Sequence, residues 1–306
     1  MESKGTVILA GGSGFLGKSL ANYLISQDYE AVILTRSTGK EQNGIRYVQW
    51  DGRSLGQWQK ELEGAAAVVN FTGKSVNCIY TKTNRKQIIN SRIDSVNVLH
   101  EAMKACDRLP EVFIQAGSLA IFGDTKEVCD EGSQHGSGFS VEVCQRWEEV
   151  FYAEPVLSAR KVLFRIGFVL GKDGGALDPL KKLTKAGLGG TVGKGDQYIS
   201  WLHIDDLNRM ILEAIVNSKV IGTYNATSPE PVQNRDFMML LRQTMGRPWS
   251  PPAPRPAVIF GAYTVMRTEP SLALTGRRCI PKRLLEEGFT FNHTDLRTTL
   301  EKLLLK

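Results

Sequence analysis

Residues 6 to 20, TVILAGGSGFLGKSL, constrain this chain more than any other stretch. An apolar run meets glycines at 11, 12, 14 and 17, and a helix-like pattern follows at once. A strand that turns into a helix through glycines has a specific use for each of them. Gly11 permits the tight turn, Gly14 lets backbone come close to an anion, and Gly17 lets the helix pack against the strand. The free first-turn N–H groups and the helix dipole then favour negative charge. The backbone from Gly11 through Ser13, Gly14, Phe15 and Leu16 to Gly17 is therefore a candidate cradle for a dinucleotide pyrophosphate.

The next strand ends in ILTRSTGK, with Arg36 nineteen residues after Gly17. Sites that hold an unphosphorylated ribose place an Asp or Glu about 20 residues after the loop. A guanidinium instead matches a 2′-phosphate in charge and geometry, with Thr35, Ser37 and Lys40 as helpers. The expected cofactor is NADP(H) in preference to NAD(H), and the competing reading is an ordinary solvated arginine.

Short β-branched runs at 6–10, 31–35, 45–49, 66–70, 112–116 and 161–170 alternate with helical patterns at 17–26, 84–105 and 141–153. Near-continuous apolar strands separated by helices predict a doubly wound parallel α/β sheet, a Rossmann fold. GTYNAT reads as a further strand, and DDLNRMILEAIVN as a helix capped by Asp205 or Asp206. Beyond residue 230 the pattern changes to a helix, a proline-rich stretch and a last helix with Leu296, Leu300, Leu303 and Leu304 on one face. The predicted division is 1–229 for the nucleotide-binding unit, with a substrate-lobe insertion at about 172–203, and 230–306 for a smaller helical cap.

Composition excludes several classes. No apolar run approaches the roughly 18 residues of a membrane span, and no signal-peptide pattern precedes the first strand, so a cytoplasmic protein is expected. The five cysteines are scattered without a CxxC pair, which argues against structural disulfides and against a metal site. A net charge of +6 is spread over the chain, and clusters such as Arg277–Arg278 lack interleaved aromatics. These read as solvated surface, with a phosphate-bearing small molecule rather than nucleic acid as the expected partner. Oligomeric state is left open.

With these pieces in place the chain resembles the extended short-chain dehydrogenase/reductases, and within them the nucleoside-diphosphate-sugar epimerase-like group with an appended C-terminal domain. The matching segments are GGSGFLG (11–17), VVNFTGKSV (68–76), SRIDS (91–95), RIGFVLGKDGGAL (165–177), GLGGTVGKGDQYISWLHIDDL (187–207) and RCIPKRLLEEGFTF (278–291). The resemblance implies that Phe71, Thr72 and Gly73 pass beside the cofactor ribose and pyrophosphate, and that Asp51 contacts the adenine or forms an ordinary turn. It implies that Arg92, where many members have an Asn, reaches toward cofactor or substrate phosphates, with a surface ion pair as the alternative. Ala116 and Gly117 lead the chain to the cofactor, Gly167 to Val169 run near the nicotinamide, and Ser118 donates a hydrogen bond to a reacting carbonyl.

One departure limits what the resemblance carries. The superfamily's Tyr, followed four residues later by Lys, aligns with Ser140 and Cys144, or with Val141 and Gln145 one residue on. A serine of ordinary acidity does not replace a tuned phenol without a base beside it. Tyr80, Lys74, Lys82, Asp124 and Tyr152 are alternative proton sources, and His203 is a further, weaker one. Two expectations follow: an NADP(H)-dependent oxidoreductase or epimerase of a small carbonyl or nucleotide-sugar substrate, or an NADP(H)-binding sensor without turnover.

Overall fold

The computed structural model describes residues 3–37, 41, 43–153, 159–172 and 174–305. Its first strand, Thr6–Ala10 (β1), shows why the fold forms. Val7 and Leu9 leave on one face to join Leu20, Leu24, Ile33, Val69 and Ile114. Ile8 and Ala10 leave on the other to join Val32, Val68, Val96, Leu99 and Phe113. A strand covered on both faces is apolar at every position, and that is the run the sequence carries.

The later strands are Glu30–Thr35 (β2), Ile45–Gln49 (β3), Ala67–Asn70 (β4), Val112–Ser118 (β5), Val128–Cys129 (β6), Arg160–Ile166 (β7) and Phe168–Leu170 (β8). Tyr198–Ile199 (β9), Trp201–His203 (β10), Gly222–Ala226 (β11), Val232–Gln233 (β12) and Arg278–Cys279 (β13) complete them. Seven form one parallel sheet in the order β11-β7-β5-β4-β1-β2-β3. The strand order reverses between β1 and β4, where an open α/β sheet leaves a crevice at its carboxyl edge.

Helices Phe15–Ile25 (α1), Lys82–Lys104 (α2) and Phe139–Ala153 (α3) cover the sheet. α1 buries Leu20, Ala21 and Leu24, whereas α2 buries Ile88, Val96 and Leu99 and is capped by Thr81, whose hydroxyl accepts from Asn84 N–H. Leu177–Lys185 (α4), Ile204–Val216 (α5) and Asn234–Thr244 (α6) follow. The C-terminal region is helical, with Arg255–Gly261 (α7), Ser271–Leu274 (α8), Lys282–Glu286 (α9) and Leu296–Leu304 (α10). Leu296, Leu300 and Leu303 of α10 pack with Phe237, Met238 and Leu241 of α6 and with Trp201, and Leu304 is partly buried at the margin. Among the described residues no helix is long and apolar enough to cross a membrane.

Two expectations are corrected. The run 161–170 is two strands: β7 lies in the main sheet, while β8 pairs with β10. The break is Gly167, where an added Cβ would lie 2.3 Å from Ser200 O, so only glycine lets the two backbones approach this closely. Periodicity does not reveal the bend because both halves are buried.

Neither Asp205 nor Asp206 caps α5. His203 does, its Nδ1 accepting from Asp205 N–H at 3.1 Å. Asp206 is fully buried and accepts from Asn292 N–H, His293 N–H and Arg209 Nη1, tying α5 to the segment before α10. The His203 ring stacks on His293 with centroids 3.7 Å apart. Burial, and then the neighbouring His293, push His203 down to about 4; Lys302 acts in the same sense, and Asp205 and Asp206 oppose it.

The unfolded chain takes up this proton near pH 6.5, while the folded protein resists it down to about 4. Stability from this group is therefore present above the unfolded value and is lost as the pH falls through that window. His203→Asn keeps a capping acceptor but does not titrate. It is expected to flatten the pH dependence of urea unfolding between pH 6.5 and 4 by about 1–3 kcal/mol; a slope equal to wild type would assign the acid sensitivity elsewhere.

Candidate functional site

A cavity of about 800 Å³ opens over the carboxyl ends of β1, β2 and β4. It brings together Gly11, Ser13, Gly14, Thr35, Arg36, Asp51, Phe71, Thr72 and Gly73, all of them predicted from sequence, and adds Lys74, Ser75, Gln87 and Ser91. The glycines divide their work as local geometry requires. Gly11 has φ +68°, and a Cβ there would lie 2.6 Å from Thr72 Oγ1. At Gly17 a Cβ would lie 2.3 Å from Gly12 backbone, so this glycine serves packing. Gly14 has φ −83°, and a Cβ there would meet nothing within 4 Å, so its surroundings are open space. Gly14 is also the N-cap of α1, with no side chain capping the helix and no acidic residue in its first turn.

A buried amide pair holds the opposite wall. Asn70 Nδ2 donates to Gln115 Oε1 and Ser95 Oγ, Gln115 Nε2 donates back to Asn70 O, and Asn70 Oδ1 accepts from Thr72 N–H. Thr72 Oγ1 is left buried without a partner beside the cavity. Such an orphan hydroxyl costs stability unless something else uses it.

Arg36 lines the cavity, is exposed, and has no ion-pair or hydrogen-bond partner among the described residues. Ser37 is exposed beside it, and Lys40 lies outside the described residues. Asp51 is at once a turn residue and a cavity residue. Its Oδ1 accepts from Arg53 and Ser54 N–H, and these bonds hold its carboxyl below the usual range.

Other predicted residues stand back from this cavity. Phe15 packs its ring under Gly171, Gly174 and Gly175, Leu16 is partly buried against the core, and the Val169 side chain is in the core. Ala116 is buried in β5, and at Gly117 a Cβ would press on Leu163 at 2.9 Å. Arg92 does not form the surface ion pair that was its alternative reading. Its Nη1 donates to Lys74 O and Ile88 O, its guanidinium lies 4.9 Å from the Trp147 ring centroid, and it has no carboxylate partner among the described residues. It packs against Gly73, a residue of the cavity wall, where an added Cβ would be 3.0 Å from its Cζ.

Ser118 and Gly167 line a second cavity of about 230 Å³, together with Gln197, Tyr198, Asn234 and Arg277. Ser118 ends β5 and Ile166 ends β7, and the two are paired in register, so this cavity also sits at the carboxyl edge of the sheet. Ser118 Oγ accepts from Ala120 N–H at 3.1 Å, which leaves its own proton free to donate. A third cavity, about 350 Å³, shares Val192 and Gln197 with the second and is lined by Lys126, Lys194 and Arg255.

Ser140 and Cys144, at the places of the usual Tyr and Lys, lie on α3. Cys144 is buried, and its thiol is pushed up to about 12 by burial and by Glu148, so it stays a neutral thiol. Glu148 itself is paired with the buried Arg165 at 2.8 Å. Of the alternative proton sources, Tyr80 has its hydroxyl sealed from solvent and its ring against Phe139, and Tyr152 exchanges a hydrogen bond with Thr223 Oγ1. Lys74 Nζ donates to Gln87 Oε1, Lys82 is exposed at the start of α2, and Asp124 accepts from Gly276 N–H. None of these lines the cavity of Ser118.

Two residues that line it were missed. Tyr198 sits in a motif recognised only as a whole, and its hydroxyl has no partner among the described residues. Arg277 belongs to a basic doublet, which by sequence alone has the character of solvated surface. In the fold Arg278 is exposed and stacks on Tyr198, whereas Arg277 is partly buried. No sequence pattern separates the two; the pairing of β13 with β6 does.

The chain matches known proteins along its whole length. The model of the NAD dependent epimerase/dehydratase family covers residues 7–140, and a domain of unknown function, DUF1731, covers 254–303. The chain is 30% identical to the chloroplastic SDR39U1 homolog of Arabidopsis thaliana, an epimerase family protein, over 99% of this chain and 88% of that one. It is 29% identical to the epimerase family protein YfhF of Bacillus subtilis, over 97% of each. The crystal structure of the human epimerase family protein SDR39U1 (isoform 2) with NADPH superposes with a TM-score of 0.87 at 26% identity, over 98% of this chain and 99% of that one. The fold, the glycine cradle at the sheet reversal and these matches over the full length have one conclusion: the chain belongs to the epimerase/dehydratase family of extended short-chain dehydrogenase/reductases.

Proposed function

We propose that this chain is an NADP(H)-dependent oxidoreductase or epimerase acting on a small carbonyl or hydroxyl substrate. The observation that carries the reading is the pairing of an open Gly14 cradle with an Arg36 that has no partner among the described residues, in one cavity at the same sheet edge as Ser118. The residues present fit a dinucleotide: an uncapped helix N-terminus for pyrophosphate, an orphan Thr72 hydroxyl beside it, and a free guanidinium for a 2′-phosphate. The human relative's structure with NADPH supports the phosphorylated cofactor. Structures of sugar epimerases at 16% identity hold NAD, so the fold alone does not choose, and Arg36 is the local reason to favour NADP(H).

When bound, the nicotinamide supplies or accepts a hydride. The protein's own residues do the rest. Gly167 keeps the backbone close at the floor of the second cavity, and Ser118, anchored by Ala120 N–H, donates to a carbonyl oxygen. Tyr198 is the phenol in that cavity, and it replaces the missing family tyrosine as proton carrier from a different element of the fold.

The competing reading, a sensor that binds NADP(H) without turnover, is favoured by the neutral, buried Cys144 in place of a lysine. Nicotinamide fluorescence followed by a carbonyl and sugar-nucleotide screen separates the two. Ser118→Ala and Tyr198→Phe are each expected to lower turnover by about 10²–10⁴-fold with NADPH affinity unchanged. Tight NADPH binding with no turnover of any substrate would leave the sensor.

A further inference from the structure

Among the described residues that line the second cavity Arg277 is the one cation, and no carboxylate pairs with it. Its Nε donates to Gly123 O at 3.1 Å, which fixes the guanidinium plane, yet Nη1 and Nη2 make no hydrogen bond and no ion pair among the described residues. Neither terminal nitrogen is sealed from solvent, since neither is among the buried atoms that lack partners. Cys129, Cys144 and Cys279 lie nearby, and the last two stay neutral, their thiols pushed up to about 12 by burial. Asp124, the carboxylate in range, is turned toward Gly276 N–H. Burial lowers the Arg277 pKa, as expected for a cation without a partner. An arginine keeps its charge even so, and a half-buried guanidinium whose two terminal nitrogens are unpaired yet accessible is suited to take an anion.

We propose that Arg277 is the carboxylate-binding residue of the substrate site, so that the substrate is a carbonyl or hydroxy acid whose carboxylate is held by the Arg277 fork while Ser118 engages its reacting oxygen. The inference rests on the oxidoreductase reading above and narrows its substrate class. Three features favour a carboxylate over a phosphate. The fork presents two parallel donors that match a carboxylate's two oxygens. A single positive charge balances a monoanion, and among the described residues no second Lys or Arg lines this cavity. The cavity, at about 230 Å³, is also smaller than the ~300–1,000 Å³ of pockets for drug-sized ligands, which suits a compact acid. The other basic side chains, Lys126, Lys194 and Arg255, belong to the adjoining cavity, and there Lys126 is already paired with Asp196.

The test is calorimetric titration of the protein, with and without NADPH, using pyruvate, acetoacetate and phenylglyoxylate, each against its methyl ester, and inorganic phosphate. At least one acid is expected to bind at least about 30-fold more tightly than its ester. Arg277→Gln is expected to abolish that difference, Arg277→Lys to retain part of it, and both to leave NADPH affinity unchanged. The acid–ester difference in the wild-type protein needs no variant, so a folding defect in Arg277→Gln does not protect the proposal. Absence of binding by every acid, equal binding of acids and esters, phosphate binding as tight as the acids, or an acid preference that survives in Arg277→Gln would each overturn it. Failure of NADPH itself to bind the wild-type protein would instead overturn the oxidoreductase reading, an outcome visible in the same titrations.

Discussion

Gly14→Val is expected to leave the protein folded and to weaken NADPH binding by more than about 100-fold. The two halves of this result have separate causes. Gly14 sits at φ −83° and ψ −175°, a conformation open to any residue, and an added Cβ meets nothing within 4 Å. The stability cost is limited to a poorer N-cap, about 1 kcal/mol. The open space is, on the reading above, where the pyrophosphate lies, so the valine methyls exclude it from the helix N-terminus. Gly17→Ala is the contrasting control. Its methyl would overlap Gly12 backbone at 2.3 Å, so it is expected to lose about 1–3 kcal/mol of stability before any ligand is considered. Thermal melts alongside nicotinamide fluorescence measure both effects, and NADPH affinity in Gly14→Val within threefold of wild type would remove the cradle from the cofactor site.

Arg36→Ala is expected to weaken NADPH binding by about 30–100-fold while changing NADH affinity less than threefold. A guanidinium bonded to phosphate is a charge-assisted contact worth roughly 1.5–3 kcal/mol, and each 1.4 kcal/mol is tenfold in affinity. Arg36 is exposed at the rim of the cavity, so the NADPH preference should also shrink as ionic strength rises. The ratio of the two dissociation constants, measured at two salt concentrations, checks both statements. An unchanged ratio in Arg36→Ala would move the discrimination to another residue.

Much of the lining of the first cavity was legible because it is built from local sequence. A strand, a glycine turn and a helix N-terminus are consecutive in the chain, so spacing alone pointed to Gly11 and Gly14, and the end of the next strand to Arg36, all of which line that cavity. The other cavity walls, Phe71 to Gly73, also follow a strand end in a parallel sheet, where the turn after each strand faces the same edge. Sequence was silent or misleading where contacts are long-range. Arg92 packs on Trp147, 55 positions away, and His203 reaches His293 across 90, so neither role is written in its neighbours. The bend at Gly167 was hidden because its cause, the close approach of Ser200, comes from another strand.

What the sequence by itself determined is the alternation of doubly buried strands with amphipathic helices, hence the parallel sheet, and the glycine cradle at its reversal point. Both follow from periodicity and backbone sterics acting over a few residues. Only the tertiary structure decided the second cavity. The short pairing of β13 with β6 carries the C-terminal segment to the mouth of β5 and places Arg277 with Tyr198 and Ser118. Residues 118, 198 and 277 are too far apart in the chain for any local pattern to relate them. Their meeting depends on which buried faces close on one another, and the packing of the whole chain determines that.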